Sequence, residues 1–480
     1  MKNVAKKVWF GIFCLLAVVL IIGASDQLID STQVCANTDE KADMNIQNIL
    51  QKFVEDNDSV GASVGLIDRG EIKFFSYGKK SVESNDVVSE DTIYEIGSIT
   101  KVFTTTALMD LVTQGKVKMD DPIEIYLSGV KVPELDGKKI TLRHLATHTS
   151  GLPRMPDNFD PKTPSNPYID YSVDRLYEFL NHCILQKAPG THFEYSNVGM
   201  GLLGHILCKI TEKTYEQLIA ESLLTKLDMK NTGVFVSSER ARDFARGHHQ
   251  GQIVDYWDFT QAIEGAGSLR SNVKDMTQFL SANMGLINIH LTELLSRCHQ
   301  VQNSAGPNDS VGLGWVISHS DAGDVIWHNG GTGGFRTFLG FNLKTQKGVV
   351  VLSNSSAGWP DLFGLSLLDP DNYKQPVKDA VLASDSSYLK QFEGFYDVMT
   401  SDQQRMEVAI KLIESRLILV MPGGELKMIP TEIGVFSMQG VPGQVLKFIF
   451  DDKGNIVKAQ MIIQPSHAVA GEVIPKAHVE

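Results

Sequence analysis

Apolar residues recur at helical spacing from Met44 to Asn57 (Ile46, Ile49, Leu50, Phe53 and Val54), which predicts a helix. Two runs of strand character follow, GASVGLI and EIKFFSYG, and Asp68-Arg69-Gly70 between them reads as a hairpin turn. Beyond Ser98 the period turns helical through Val112, and a long middle section of helical patterns and loops extends to about Met284. Within it, LRHLATHTSGLP (Leu142 to Pro153) reads as a helix with Gly151-Leu152-Pro153 as its stop. Strand character returns in GLGWVISH (Gly312 to His319), DVIWHNGG (Asp324 to Gly331), FRTFLGFN (Phe335 to Asn342) and GVVVLSN (Gly348 to Asn354). The pattern predicts one antiparallel sheet assembled from both ends of a domain with a helical section inserted between them, a mixed α+β architecture.

A different texture begins near Ser386. Short strand-like runs (MEVAIKL, RLILVMP, LKMIPT, VFSMQG, VLKFIFD and IVKAQMIIQ) alternate with turn residues such as Asp452-Lys453-Gly454, which predicts a small β-barrel or sandwich over 386–480. At the other end, Lys2, Lys6 and Lys7 precede an apolar run from Val8 to Gly23 and the small residues Ala24 and Ser25. That is the layout of a secretory signal peptide over 1–25, or of an N-terminal anchor attaching the chain to a membrane through residues 8–24. Either form puts the body outside the cytoplasm, secreted, periplasmic or held at the outer side of a membrane. Residues 26–43 read as a polar linker, and 44–370 as the main domain.

Composition narrows the function. The chain of 480 residues is 42% hydrophobic and 21% charged, an ordinary globular balance. Its net charge of -13 is spread without a basic run, which argues against a nucleic-acid partner and for a small-molecule or peptide substrate. Cys183, Cys208 and Cys298 are far apart and read as isolated thiols, though an exported chain could pair two of them. There is no HExxH or comparable cluster, so neither a metal nor another cofactor is expected.

The candidate chemistry starts at EIGSITKVFTT, Glu95 to Thr105. Ser98 and Lys101 are three residues apart at the opening of a helix, so they share a face, and a partly buried lysine amine is a usable base for a serine hydroxyl. Tyr195 and Asn197, in APGTHFEYSNVGMGLLG, would add a phenol able to exchange protons and an amide able to hold substrate. His328-Asn329-Gly330-Gly331 closes a predicted strand whose small residues admit substrate to its edge, with a backbone N–H to join that of Ser98 in an oxyanion hole. His144 and His148 read as capping or packing residues, and the Arg154–Pro167 loop as the mouth of a cleft.

These elements in this order resemble the serine β-lactamase and penicillin-recognising DD-peptidase superfamily, specifically its class C branch, over roughly 45–358. The resemblance implies a β-lactamase/transpeptidase-like fold. It also implies roles: Ser98 as the acylated nucleophile, Lys101 as its activating partner, Tyr195 as proton shuttle and Asn197 as substrate clamp. His328 and Gly330 occupy the third motif, with the Gly331 amide in the oxyanion hole. The segment beyond Asp385 resembles a lipocalin-like C-terminal domain, which could bind a ligand, cover the cleft or mediate oligomers.

One departure bears on substrate. Class C relatives usually begin the third motif with lysine, and here His328 stands in its place, a side chain largely neutral at pH 7. This leans from antibiotic hydrolysis toward relatives acting on D-amino-acid peptides or esters. Arg336, just beyond, could supply the missing charge as a carboxylate clamp or simply face solvent from its strand. The expected function is therefore an exported serine hydrolase acting through an acyl-enzyme on β-lactams or D-amino-acid peptides, with an esterase or a penicillin-binding sensor without turnover as alternatives.

Overall fold

The computed structural model describes residues 43–373, apart from 57–58, 288, 307–308 and 359, and residues 386–475, apart from 400–404, 422–423, 433–434, 439–443, 452–455 and 464–470. The expected export segment 1–25, nearly all of the linker 26–43 and the Asp452-Lys453-Gly454 turn lie outside the described residues.

A helix, α1 (43–56), leads into the hairpin of β1 (Gly61–Asp68) and β2 (Glu71–Gly78). Asp68 pairs with Glu71 across a two-residue turn in which Arg69 and Gly70 both take positive φ (+49° and +88°), the conformation that matches the twist of hairpin strands. The middle section carries α2 (Thr100–Thr113), α3 (Asn197–Thr211) and α4 (Val273–Asn283). Six strands follow: β3 (Asn303–Ser304), β4 (Asp309–Val311), β5 (Val316–Ser318), β6 (Val325–Gly331), β7 (Arg336–Asn342) and β8 (Lys347–Ser353), then helix α5 (Pro360–Leu368).

The strands form one eight-stranded sheet in the order β2-β1-β8-β7-β6-β5-β4-β3, with the N-terminal hairpin pairing onto the late strands from Ala62↔Ser353 to Asp68↔Lys347. The sheet is thus built from both chain ends, as the pattern predicts. Its central strands are buried on both faces, which explains the continuous apolar run GVVVLS where a half-exposed strand would alternate. On one face α4 packs its Leu280 and Thr277 against Gly348 and Gly65; on the other, α5 brings Leu368 and Gly364 against Gly340 and Phe338.

Helix α2 is buried around its whole circumference from Thr100 to Leu111, so its polar residues need internal partners. They have them: Thr104 Oγ1 donates to Gly265 O (2.8 Å) and lies 2.6 Å from Tyr215 Oη, Thr105 donates to Leu313 O (2.8 Å), and Thr100 accepts from the Leu269 amide (3.1 Å). These bonds fix the helix that carries Lys101 in rotation and height. Beside it, α3 turns its glycine face to the segment 263–265. A Cβ on Gly204 would meet Gly265 Cα at 2.9 Å, so only glycine lets the two backbones approach this closely.

The helix expected through LRHLATHTSGLP is shorter than its pattern, Leu142–Ala146. Thr147 donates its hydroxyl back to Arg143 O, the Thr149 amide bonds His144 O, and His148 takes φ +56°, so the chain leaves the helix before Gly151.

The C-terminal strands run β9 (Gly394–Met399), β10 (Arg405–Ile413), β11 (Arg416–Met421), β12 (Gly424–Glu432), β13 (Val435–Met438), β14 (Gln444–Phe450), β15 (Ile456–Ile463) and β16 (Gly471–Pro475). Each pairs with the next, and β9 pairs with β16 through Asp397↔Ile474, closing an antiparallel barrel. The sequence pattern marks six of these strands and misses the first and last. Phe392, Phe436 and Phe448 meet at ring-centroid distances of 4.6–5.7 Å among Val408, Leu417, Leu419 and Leu446, a packed interior.

Candidate active site

Ser98 sits in the single 3-10 turn Gly97–Ile99 that opens α2. Gly97 holds φ +52°, and a Cβ there would meet the Gly331 amide nitrogen at 2.7 Å; a Cβ on Gly330 would meet Ile96 O at 2.0 Å. The end of β6 is therefore laid directly against the serine turn, and Thr337 on β7 pins it by donating to Ile96 O (2.9 Å).

One helical turn past Ser98, Lys101 is fully buried, with Nζ 2.8 Å from Ser98 Oγ and donating to Ala266 O at 2.7 Å. Ala266 belongs to the segment that the glycine face of α3 admits, so packing 165 residues away in sequence orients the amine. Burial, and then the Arg154 guanidinium, push the lysine well below its usual pKa, toward a neutral amine with a free lone pair.

Tyr195 immediately precedes the N-cap of α3, Ser196, whose hydroxyl accepts from the Gly199 amide (2.9 Å) and donates to Pro153 O (2.7 Å). Lys101 Nζ lies 4.9 Å from the centroid of the Tyr195 ring. Burial raises the phenol to about 12, with Ser98 pulling in the other direction, so it stays protonated at neutral pH. Asn197 opens α3; its amide N–H donates to Arg154 O (2.9 Å), and its Nδ2 lies 3.7 Å from Met155 Sδ.

His328, on β6, is buried with its ring centroid 6.2 Å from that of Tyr195. Burial first, then the charge of Lys101, depress it to about 3, so it is neutral across the physiological range. Next to it, Asn329 Nδ2 donates to the buried Asp361 on α5 (2.7 Å). Arg336 is half-buried, and its Nη1 donates to Thr332 O (2.8 Å) and Phe335 O (3.0 Å). Its guanidinium braces the turn between β6 and β7, with Nη1 2.9 Å from where a Cβ on Gly331 would stand.

His148, expected from the sequence as a capping or packing residue, lies in the same cluster. Its ring packs against that of Tyr195, tilted by 31° at a centroid distance of 4.5 Å, and its Nδ1 accepts from the Ser196 amide (3.1 Å). That bond leaves the proton on Nε2, which is buried with no hydrogen-bond partner among the described residues. Burial, Lys101, His328 and Arg154 all hold the imidazole neutral. Its neighbour on the preceding turn, His144, caps its own helix by exchanging bonds with Thr141 (3.2 and 3.3 Å). No local pattern distinguishes the two histidines; only the fold of the 148–154 loop against α3 does.

One wall is aromatic. Tyr168 stacks on Phe259 (4.5 Å) and meets Trp257 edge-on (5.3 Å), all three partly exposed. Phe259 abuts Gly267, the residue after Ala266, and Trp257 abuts Gly333, two residues past Gly331. The arrangement joins a serine, a deprotonatable amine, a phenol and an apolar flank, parts suited to acyl transfer.

Known proteins carry the same organisation. The family pattern described as Beta-lactamase matches residues 46–366. The D-alanyl-D-alanine-carboxypeptidase/endopeptidase AmpH of Escherichia coli strain K12 is 29% identical over 313 residues, covering 62% of this chain and 80% of that one. A beta-lactamase of Pseudomonas fluorescens is 25% identical over 347 residues, covering 65% and 93%. Among solved structures, the octameric penicillin-binding protein homologue from Pyrococcus abyssi superposes with a TM-score of 0.63 at 24% identity, covering 89% of this chain and 99% of that one, a likeness of fold. With the family pattern spanning the sheet, the inserted helices and every element of the site, the chain belongs to the beta-lactamase family and is a serine hydrolase.

Proposed function

We propose that Ser98 forms an acyl-enzyme with the carbonyl of D-amino-acid peptides or β-lactams and that water then releases the acyl group. The observation that carries this reading is the 2.8 Å approach of a fully buried lysine amine to the serine hydroxyl. The Ser98 O–H gives its proton to the neutral Lys101 amine as Oγ attacks the carbonyl carbon. The negative charge moves to the carbonyl oxygen, held by the backbone N–H groups of Ser98 and Gly331. As the tetrahedral centre collapses, the leaving nitrogen takes a proton from Tyr195, which regains one from the Lys101 ammonium. Deacylation repeats the cycle with water in place of Ser98. Asn197 holds the substrate amide, and the His328–Gly331 edge pairs with its backbone.

The relatives named as a DD-carboxypeptidase/endopeptidase and a beta-lactamase support this substrate range, and the neutral His328 supports peptides ahead of antibiotics. Purified protein incubated with a fluorescent penicillin, nitrocefin and a D-alanyl-D-alanine peptide tests it. Covalent labelling with release of D-alanine is expected; hydrolysis of simple esters alone, with no labelling, would replace the reading by an esterase.

The wider setting is proposed on the same terms. Export rests on the Lys2/Lys6/Lys7 and Val8–Gly23 pattern; among the described residues no helix is long and apolar enough to cross a membrane. Closure of the C-terminal strands supports a lipocalin-like domain over 386–480, and its packed interior favours an assembly role over small-ligand binding. The octameric homologue supports oligomers, which the mass of the full chain in solution, against one ending near Ala383, would test.

A further inference from the structure

The third motif begins with a neutral histidine, and Arg336 beside Gly331 has its Nη1 engaged by two carbonyls of the β6–β7 turn. Another cation faces this cleft. Arg154 follows the HTSGLP loop, and its carbonyl accepts from the Asn197 and Val198 amides (2.9 and 3.4 Å) at the start of α3, so its backbone is fixed to the helix that follows Tyr195. Its side chain is exposed, and its guanidinium carbon lies 5.0 Å from the centroid of the Tyr195 ring. Among the described residues no carboxylate is paired with it. It nonetheless acts on Lys101, His148, Tyr195 and Tyr168, placing its charge within reach of the reacting groups.

We propose that Arg154 is the substrate-carboxylate clamp of this enzyme, selecting peptides that present a free carboxylate beside the scissile amide. The clamp rests on the reading of Ser98 as the acylated nucleophile and adds the substrate class. A guanidinium seated over an aromatic ring is pre-oriented, so little side-chain freedom is lost when a carboxylate binds its outer edge. The partly exposed Tyr168–Phe259–Trp257 flank lowers the local polarity and strengthens such a pair. Occupation has a second consequence. Arg154 holds the Lys101 amine down, so a carboxylate that cancels its charge makes Lys101 a stronger base when substrate is bound.

The test uses the full chain and two D-alanyl-D-alanine peptides that differ only at the C-terminus, one a free acid and one a carboxamide. The wild type is expected to favour the acid. Read at a pH above the acid limb of both proteins, Arg154→Gln should lower kcat/KM on the acid about 10- to 100-fold, mainly through KM, and lower it far less on the carboxamide, with Arg154→Lys in between. A second reading separates binding from mere structure. Lys101 is faced by Tyr195, His148, His328 and Arg154, and removing the Arg154 charge should move the acid limb of kcat/KM to higher pH, because Lys101 then protonates more easily. Equal rates of the wild type on the two peptides, or an equal loss on both in Arg154→Gln above the acid limb, would overturn the clamp while leaving the Ser98 reading intact. Cleavage of neither peptide together with no covalent adduct on Ser98 would overturn both.

Discussion

Lys101 brings its amine to 2.8 Å from the Ser98 hydroxyl while none of its surface reaches water. A lysine so placed is held near neutrality, and its basicity sets the acid side of the pH profile. The amine must be unprotonated to take the serine proton, so kcat/KM falls as pH drops through its lowered pKa. Lys101→Met should lower kcat/KM by roughly 10²- to 10⁴-fold and abolish that acid limb, read from rates at a series of pH values.

His328, depressed to about 3 by burial and then by Lys101, contributes no charge of its own at neutral pH. His328→Lys would introduce a cation facing Lys101, and a like charge disfavours the protonated amine. The acid limb should therefore move to lower pH. An unchanged limb would mean that position 328 does not feel Lys101.

His148 supports Tyr195 by a tilted ring contact at 4.5 Å and by accepting the hydrogen bond of the Ser196 amide. His148→Phe keeps a ring against Tyr195 and removes the acceptor, leaving a buried N–H unpaired at a cost of about 1–3 kcal/mol. A lower Tm by thermal melting is expected, together with a fall in kcat as the Tyr195 ring loses its fixed seat.

Much of this was legible in residues that act locally. The hairpin was readable because Arg69-Gly70 is turn chemistry between two strand-like runs, and Ser98 with Lys101 because three residues on a helix make one face. Contacts across the chain were not. Ala266 orients Lys101 by a backbone carbonyl, which has no sequence signature, and it does so only because Gly204 admits Gly265. Helix 142–146 stops early through Thr147 and His148, whose types alone do not announce a stop. The outer barrel strands were missed because GFYDVM lies only three residues past the short helix Ser386–Lys390 and GEVIP is short and ends in proline, and only pairing with each other reveals them.

The third motif is anchored from behind. Asn329 donates to Asp361, a buried carboxyl that burial raises to about 6. Asp361→Ala would strip Asn329 of its acceptor and remove a carboxyl whose charge acts on Arg336. A loss of about 1–3 kcal/mol in unfolding free energy is expected, with weaker activity from a looser β6 edge, measured by denaturant titration alongside kcat/KM.

The most direct measurement is intact-mass and peptide-mapping analysis of the protein quenched during reaction with a β-lactam or a D-alanyl-D-alanine peptide. One acyl group on the peptide containing Ser98, absent from Ser98→Ala along with all turnover, is the predicted result. An adduct on another residue, or turnover that survives Ser98→Ala, would contradict the account.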